Sequence, residues 1–228
     1  VHPLEPATPK HIRRAGEDVA RDVTTLEAGI DLDPARVGLA AMMGFGQVVV
    51  AEPPKVALVV TGSEVGSRAD LDGVEDSNGP LLAALVQRLG GRIALHVRAA
   101  DDDAVLREAL DAATESGADL VVSTGGASVG RFDLVRRTLP RTADGFERIA
   151  VRPGAPTMLG AWNDVPWLAL PGTPVAVAVV GGILLASWAH AALGRTAVEP
   201  WRDRRFGLAQ ARMRGGEERT ALWLAVRE

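Results

Sequence analysis

The amino-acid sequence predicts an α/β fold, a parallel sheet with helices on both faces, flanked by partial small β-rich domains. Three observations carry this expectation. Continuous apolar runs such as Val56–Val60 and Trp167–Leu170 have the composition of strands buried on both faces. Helical stretches alternate with these runs, the pattern of a parallel sheet with crossover helices. Polar, glycine-bearing segments follow the strands, and open α/β sheets bind ligands beyond the carboxyl ends of their strands. The expected divisions are a partial N-terminal mixed or β-rich domain over 1–53, the α/β domain over 54–197, and a partial C-terminal β domain over 198–228.

In chain order, Asp33 and Pro34 open a first helix, as N-cap and first helical residue, that runs to Met43. Gln47–Ala51 reads as a short strand ended by Pro53-Pro54. Val56–Val60 is the first strand of the main domain, followed by a polar loop from Thr61 to Glu75. Asn78-Gly-Pro80 leads into a helix over Leu81–Leu89, stopped by Gly90-Gly91. Arg92–Arg98 is the next strand, and Asp101–Asp103 cap a helix ending near Ser116-Gly117. Asp119–Ser123 is a strand, Gly125-Gly126 a turn, and Phe132–Leu139 a helix. Trp167–Leu170 is a strand that turns through Pro171–Pro174 into a long apolar helix. Beyond residue 198 only Trp223–Val226 has strand character.

Composition narrows the function classes. The chain has 228 residues, 47% of them hydrophobic, enough for one average core with appended pieces. A net charge of -4 leaves no electrostatic footprint for nucleic acid. The absence of cysteine excludes disulfides, zinc–thiolate sites and thiol nucleophiles, and fits a cytoplasmic protein. The N-terminus lacks the basic start and apolar run of a signal peptide, and Val1 is not an initiator Met, so the chain reads as a piece of something longer. Val175–Leu193 carries no formal charge and is long enough to span a bilayer. Its Gly181, Gly182, Ser187, Trp188 and His190, and its place after a strand and tight turn, favour a buried helix over a membrane segment.

Several loop motifs suggest chemistry. Ser123-Thr-Gly-Gly-Ala-Ser-Val-Gly130 joins a strand to a helix, where glycines admit a ligand to the backbone and amides attract anions. It is neither a dinucleotide fingerprint nor a Walker A loop. Gly125-Gly126 alone would be a simple turn; Ser123, Ser128, Gly130 and nearby Asp133 favour a ligand loop. Glu64, Asp76 and Asp133 come from separate strand-to-helix regions, and carboxylates gathered beside phosphates suit Mg²⁺. Scattered, they would be ordinary solvated acids. Arg148 and Arg152 lie four apart, on one face of an extended segment, and suit phosphate or an oxyanion. Thr173, in Pro171-Gly172-Thr173-Pro174, is placed to cap a helix and to face a ligand. His96 and His190 lack metal-ligand spacing and read as structural.

Taken together, Thr61-Gly62-Ser-Glu64, Asp76-Ser77-Asn78, Asp101-Asp102, Ser123–Gly130 with Asp133, Arg152-Pro-Gly154 and Leu170–Pro174 resemble the molybdopterin-binding domain shared by molybdopterin molybdotransferases and molybdopterin adenylyltransferases. The resemblance covers roughly residues 55–194. His11-Ile-Arg-Arg-Ala-Gly-Glu-Asp18, and the helix and strand of 34–51, favour the molybdotransferase (MoeA and gephyrin E-domain) type.

That resemblance implies insertion of molybdate into adenylylated molybdopterin with release of AMP. It implies Mg²⁺ on Asp76 and Asp133, Glu64 assisting or orienting water, arginines holding molybdate or phosphate, and a Gly-Gly loop cradling the pterin phosphate. It also implies a homodimer with a site between subunits. The sequence departs from the family in having Arg148, Arg152 and Ala155 where lysines are usual, and Ser63 where Asp is frequent. The competing readings are an adenylyltransferase, which would require ATP, a non-catalytic binding or scaffold module, and a competence–damage-type regulatory protein.

Overall fold

The computed structural model describes residues 12–62, 65–66, 74–125, 134–140, 142, 144–195 and 220–221. The chain divides into two units, Val1–Val50 and Ala51–Glu228. In the first, α1 (Pro34–Met42) begins as the sequence predicts: the Asp33 carboxylate accepts the Arg36 amide at 2.8 Å, and Pro34 occupies the first turn. The strand expected over Gln47–Ala51 does not form, and Val48, Val49 and Val50 are exposed. A lone apolar run has no ladder partner for its backbone groups, so composition alone does not make it a strand.

The second unit carries β1 (Lys55–Thr61), β2 (Val65–Gly66), β3 (Val74–Glu75), α2 (Asn78–Arg88), β4 (Arg92–Ala99), α3 (Asp103–Glu115), β5 (Leu120–Thr124), α4 (Leu134–Thr138), β6 (Val151–Arg152), β7 (Met158–Trp162) and β8 (Val165–Leu170). A last helix follows as α5 (Pro174–Ala176), a π-helical turn over Val177–Gly181, and α6 (Gly182–Ala192). Thr220–Ala221 forms β9, paired in parallel with β6. The strand expected over Trp223–Val226 lies outside the described residues.

The main sheet has the order β4-β1-β5-β8-β7. β1 pairs in parallel with β4 and β5, and β5 with β8. β7 is antiparallel to β8, so the sheet is mostly rather than wholly parallel. This edge hairpin was missed in the sequence. Its signal is Asn163-Asp164, both at positive φ (46 and 64), the two-residue turn that matches strand twist.

Alternation along the strands divides the core into two layers. Ala57, Val59, Val121, Trp167 and Ala169 pack with Leu106 and Leu110 of α3 and Val135 of α4. Val56, Leu58, Leu120, Val122, Leu168 and Leu170 pack with Leu82 and Val86 of α2 and with Val177, Val180 and Leu185 of the last helix. That last helix is long and apolar enough to cross a bilayer by length and composition. Its place in the second layer is that of a helix packed on a sheet, as the sequence suggested.

The chain leaves β1 through α2 toward β4, whereas it leaves β5 toward the β8 side. The direction reverses between β1 and β5, and at such a switch point the loops diverge and open a crevice at the carboxyl ends of the strands.

Candidate functional site

Polar side chains tie the ends of β1, β5 and β8 together at this switch point. Thr61 Oγ1 donates to the Thr124 carbonyl at 3.2 Å, and Thr124 Oγ1 donates to the Pro171 carbonyl at 3.0 Å. From the start of α2, Asn78 Nδ2 donates to Thr124 Oγ1 at 3.0 Å and to the Gly172 carbonyl at 2.8 Å. One residue therefore joins α2 to two strand ends. Its other polar atom, Asn78 Oδ1, is buried and has no hydrogen-bond partner among the described residues. An unpaired buried acceptor is costly, on the order of 1–3 kcal/mol, which makes it a docking point for a ligand N–H. Gly125 closes the wall behind it. Its φ is +94, and a side-chain carbon there would overlap the Thr61 carbonyl oxygen, so only glycine fits.

Asp76 lies one turn away, with its side chain only 6% exposed. Oδ1 accepts the Gly79 amide at 2.8 Å, which satisfies one of the donors left open at the start of α2. Oδ2 faces His96 Nε2 of β4 at 3.6 Å, beyond good hydrogen-bond length. Gly79 lets both groups pack against the start of α2. A carbon placed there would lie 2.5 Å from His96 Nε2 and closer still to Asp76 Oδ2. His96 is the residue the sequence reading left out of the site. Its signal is a break in strand register that no sequence pattern announces.

The remaining sequence-predicted residues fall into three groups. Gly62, Ser77, Pro171, Gly172, Thr173 and Pro174 stand on the same loops as Thr61, Asn78 and Thr124, with Ser77 and Gly172–Pro174 exposed. Thr173 occupies the N-cap position of the last helix, but its side chain is exposed and makes no capping bond. Ser123 is fully buried, its Oγ accepting the Trp167 indole N–H at 2.8 Å. Arg148 and Arg152 are both exposed, while Ile149 and Val151 between them pack into the core, which puts both guanidiniums on the outer side of one extended segment. Glu64, Gly126, Ser128, Gly130 and Asp133 lie outside the described residues. A cleft of about 370 Å³ beside α4 and β7, lined by Leu139, Phe146, Met158 and Leu159 among others, includes none of the predicted site residues.

A doubly wound sheet with a polar, partly unsatisfied cluster at its switch point defines a ligand-binding α/β domain. Residues 57–190 match the family described as "Probable molybdopterin binding domain", and the chain belongs to that family. The resemblance drawn from the loop motifs is borne out at this level.

The chain is 33% identical over 216 residues to "Molybdopterin molybdenumtransferase 2" of Mycobacterium tuberculosis, covering 90% of this chain and 53% of the relative. It is 33% identical over 178 residues to "Molybdopterin molybdenumtransferase" of Haemophilus influenzae, covering 76% of this chain and 44% of that one. Among solved structures, the molybdopterin biosynthesis moea protein of Pyrococcus horikosii superposes with a TM-score of 0.70 at 28% identity, covering 79% of this chain and 46% of that chain. The chain spans about half the length of the curated relatives it matches.

Proposed function

We propose that this chain is the molybdopterin-binding part of a molybdopterin molybdotransferase, which inserts molybdate into adenylylated molybdopterin and releases AMP. The observation that carries the reading is the buried, unpartnered Asn78 Oδ1 at the meeting of β1, β5, β8 and α2. A pterin presents ring and amino N–H groups, and an acceptor already removed from water would bind them without further desolvation. The names of the relatives support the reaction, since "Molybdopterin molybdenumtransferase" is the name of proteins that align with most of this chain.

In this reading, residues 54–197 are the cofactor-binding domain, between partial N-terminal and C-terminal domains. Thr61 and Thr124 brace the strand ends, and the glycines of the 123–130 loop admit the phosphate to the backbone. The exposed pair Arg148 and Arg152 would hold molybdate or phosphate, offsetting repulsion between two anions in one site. Asp76 Oδ2, the carboxylate oxygen that the Gly79 amide does not take, suits a divalent cation such as Mg²⁺, with Asp76 as one ligand, Asp133 as a second and Glu64 assisting. When bound, that ion would supply Lewis-acid charge at the phosphoanhydride. The working protein in this reading is a cytoplasmic homodimer.

The test is AMP release from adenylylated molybdopterin, with and without molybdate and Mg²⁺, by this chain and by Asp76→Asn and Asp133→Asn. Molybdate-stimulated release that falls at least about 100-fold in both variants is the expected result, the scale of loss when an electrostatic group is removed from a site. Full turnover in both variants would sink the metal assignment. Release that requires ATP would replace the transferase reading with an adenylyltransferase.

A further inference from the structure

The register between β1 and β4 shifts once. Val56 stands opposite Ile93, but Ala57 stands opposite Leu95, so Ala94 is left without a partner. A bulge of this kind reverses which face the following side chains point to, and bulges near functional sites re-aim single side chains. Before the shift Ile93 packs into the α2 layer, and after it Leu95 and Val97 pack into the α3 layer. His96, opposite Leu58, is thereby turned toward the start of α2, where it meets Asp76.

Two features of that meeting suit a shared metal ion. The two donor atoms are 3.6 Å apart. Two cis ligands each about 2.1 Å from one octahedral ion stand about 3.0 Å apart, so the pair needs to close by only about 0.6 Å to share one ion. The Asp76 carboxylate already gives one oxygen to the Gly79 amide, which fixes its rotamer and leaves the other oxygen toward the imidazole. His96 is also 36% exposed at its side chain, so an ion can reach the pair from solvent.

We propose that His96 is a protein ligand, beside Asp76, of the divalent cation in this site. The inference rests on the metal reading of Asp76 given above and adds to it an imidazole nitrogen. An oxygen-only set suits Mg²⁺, which binds nitrogen poorly, whereas a mixed nitrogen–oxygen set favours Mn²⁺ and later first-row ions. The site therefore selects Mn²⁺ over Mg²⁺ through His96, and the remaining positions fall to the other ligands of that reading, substrate phosphate and water.

The experiment uses the whole chain and Mn²⁺ as the probe. Electron paramagnetic resonance counts bound Mn²⁺ in a titration, and electron spin-echo modulation reads directly whether a nitrogen is coordinated. The native chain is expected to bind Mn²⁺ with ¹⁴N modulation. His96→Leu is expected to lose the modulation and to bind Mn²⁺ about 10- to 100-fold more weakly, with little change in Mg²⁺ competition. Asp76→Asn is expected to lose binding of both ions.

Native Mn²⁺ binding without ¹⁴N modulation overturns the proposal, and this readout depends on no variant's folding. If His96→Leu binds as the native chain does while Asp76→Asn does not, His96 is not a ligand but the Asp76 reading stands. If Asp76→Asn also binds normally, or the native chain binds no Mn²⁺, both fail.

Discussion

α2 and α3 both begin with aspartates beside the carboxyl ends of one sheet, yet their carboxylates are used differently. At α3, Asp102 Oδ1 accepts the Ala104 and Val105 amides at 2.9 and 3.1 Å. Asp103 takes Arg107 Nε at 2.8 Å on one oxygen and the Thr138 hydroxyl at 3.1 Å on the other. That helix start is closed by its own neighbours. At α2, the N-cap Ser77 makes no capping bond, and Asp76 takes over the role from one residue earlier with a single oxygen. Its second oxygen faces an imidazole it does not hydrogen-bond. Exposure does not separate the two cases in the expected direction. The Asp103 side chain is 55% exposed and internally satisfied, whereas that of Asp76 is 6% exposed and open to a ligand. An incomplete set of partners, not accessibility, is what separates the carboxylate proposed to bind a ligand from the one that caps a helix.

The largest effect that would break this contrast comes from Gly79→Ala. The new methyl must displace the ends of Asp76 and His96, which are the two atoms proposed to share an ion. Alanine is the better helix former by about 1 kcal/mol, so the strain is offset in stability but not in geometry. The expected result is a melting temperature within a few degrees of the native chain and Mn²⁺ affinity reduced at least about tenfold. A variant that binds Mn²⁺ normally would show that the space at Gly79 serves packing alone.

Much of this was legible in the sequence, for identifiable reasons. Val56–Val60 and Trp167–Leu170 announced buried strands because their apolar runs are continuous. Asp33-Pro34 announced a helix start because the cap and the fixed φ are local properties. Asp76, Asn78 and the Pro171–Pro174 turn were legible as residues gathered at the strand ends because they follow strands in the sequence. What stayed hidden depends on long-range pairing. The antiparallel β7 lies on the far edge of the sheet, and the bulge at Ala94 that turns His96 toward Asp76 exists only in register with β1. Ser123 illustrates the reverse. It sits in a loop-motif sequence, but strand alternation points it inward to Trp167.

A middle-sized effect sharpens the same contrast from the other side. Asp102→Ala removes a side chain whose hydrogen bonds among the described residues all cap α3, so it should cost about 1 kcal/mol in chemical denaturation and leave Mn²⁺ binding unchanged. Equal loss of cation binding in this variant would mean that the two helix starts are not functionally distinct.

The smallest effect is a pH dependence at Asp103. The side-chain hydrogen bond from Arg107, then that from Thr138, holds its carboxyl below the usual aspartate range. A carboxyl with a lowered folded-state pKa contributes stability that is fully present above its unfolded pKa and is lost as the pH falls through the folded one. Asp103→Asn abolishes that titration. Its melting temperature should therefore lie slightly below the native value at neutral pH and converge on it as the pH falls below the usual aspartate range. Because the group is in solvent, added salt should shrink the gap. A gap that is constant from neutral pH into acid would show that the Arg107 and Thr138 contacts do not favour the ionised form. The start of α3 would then be held by the Asp102 cap without help from charge.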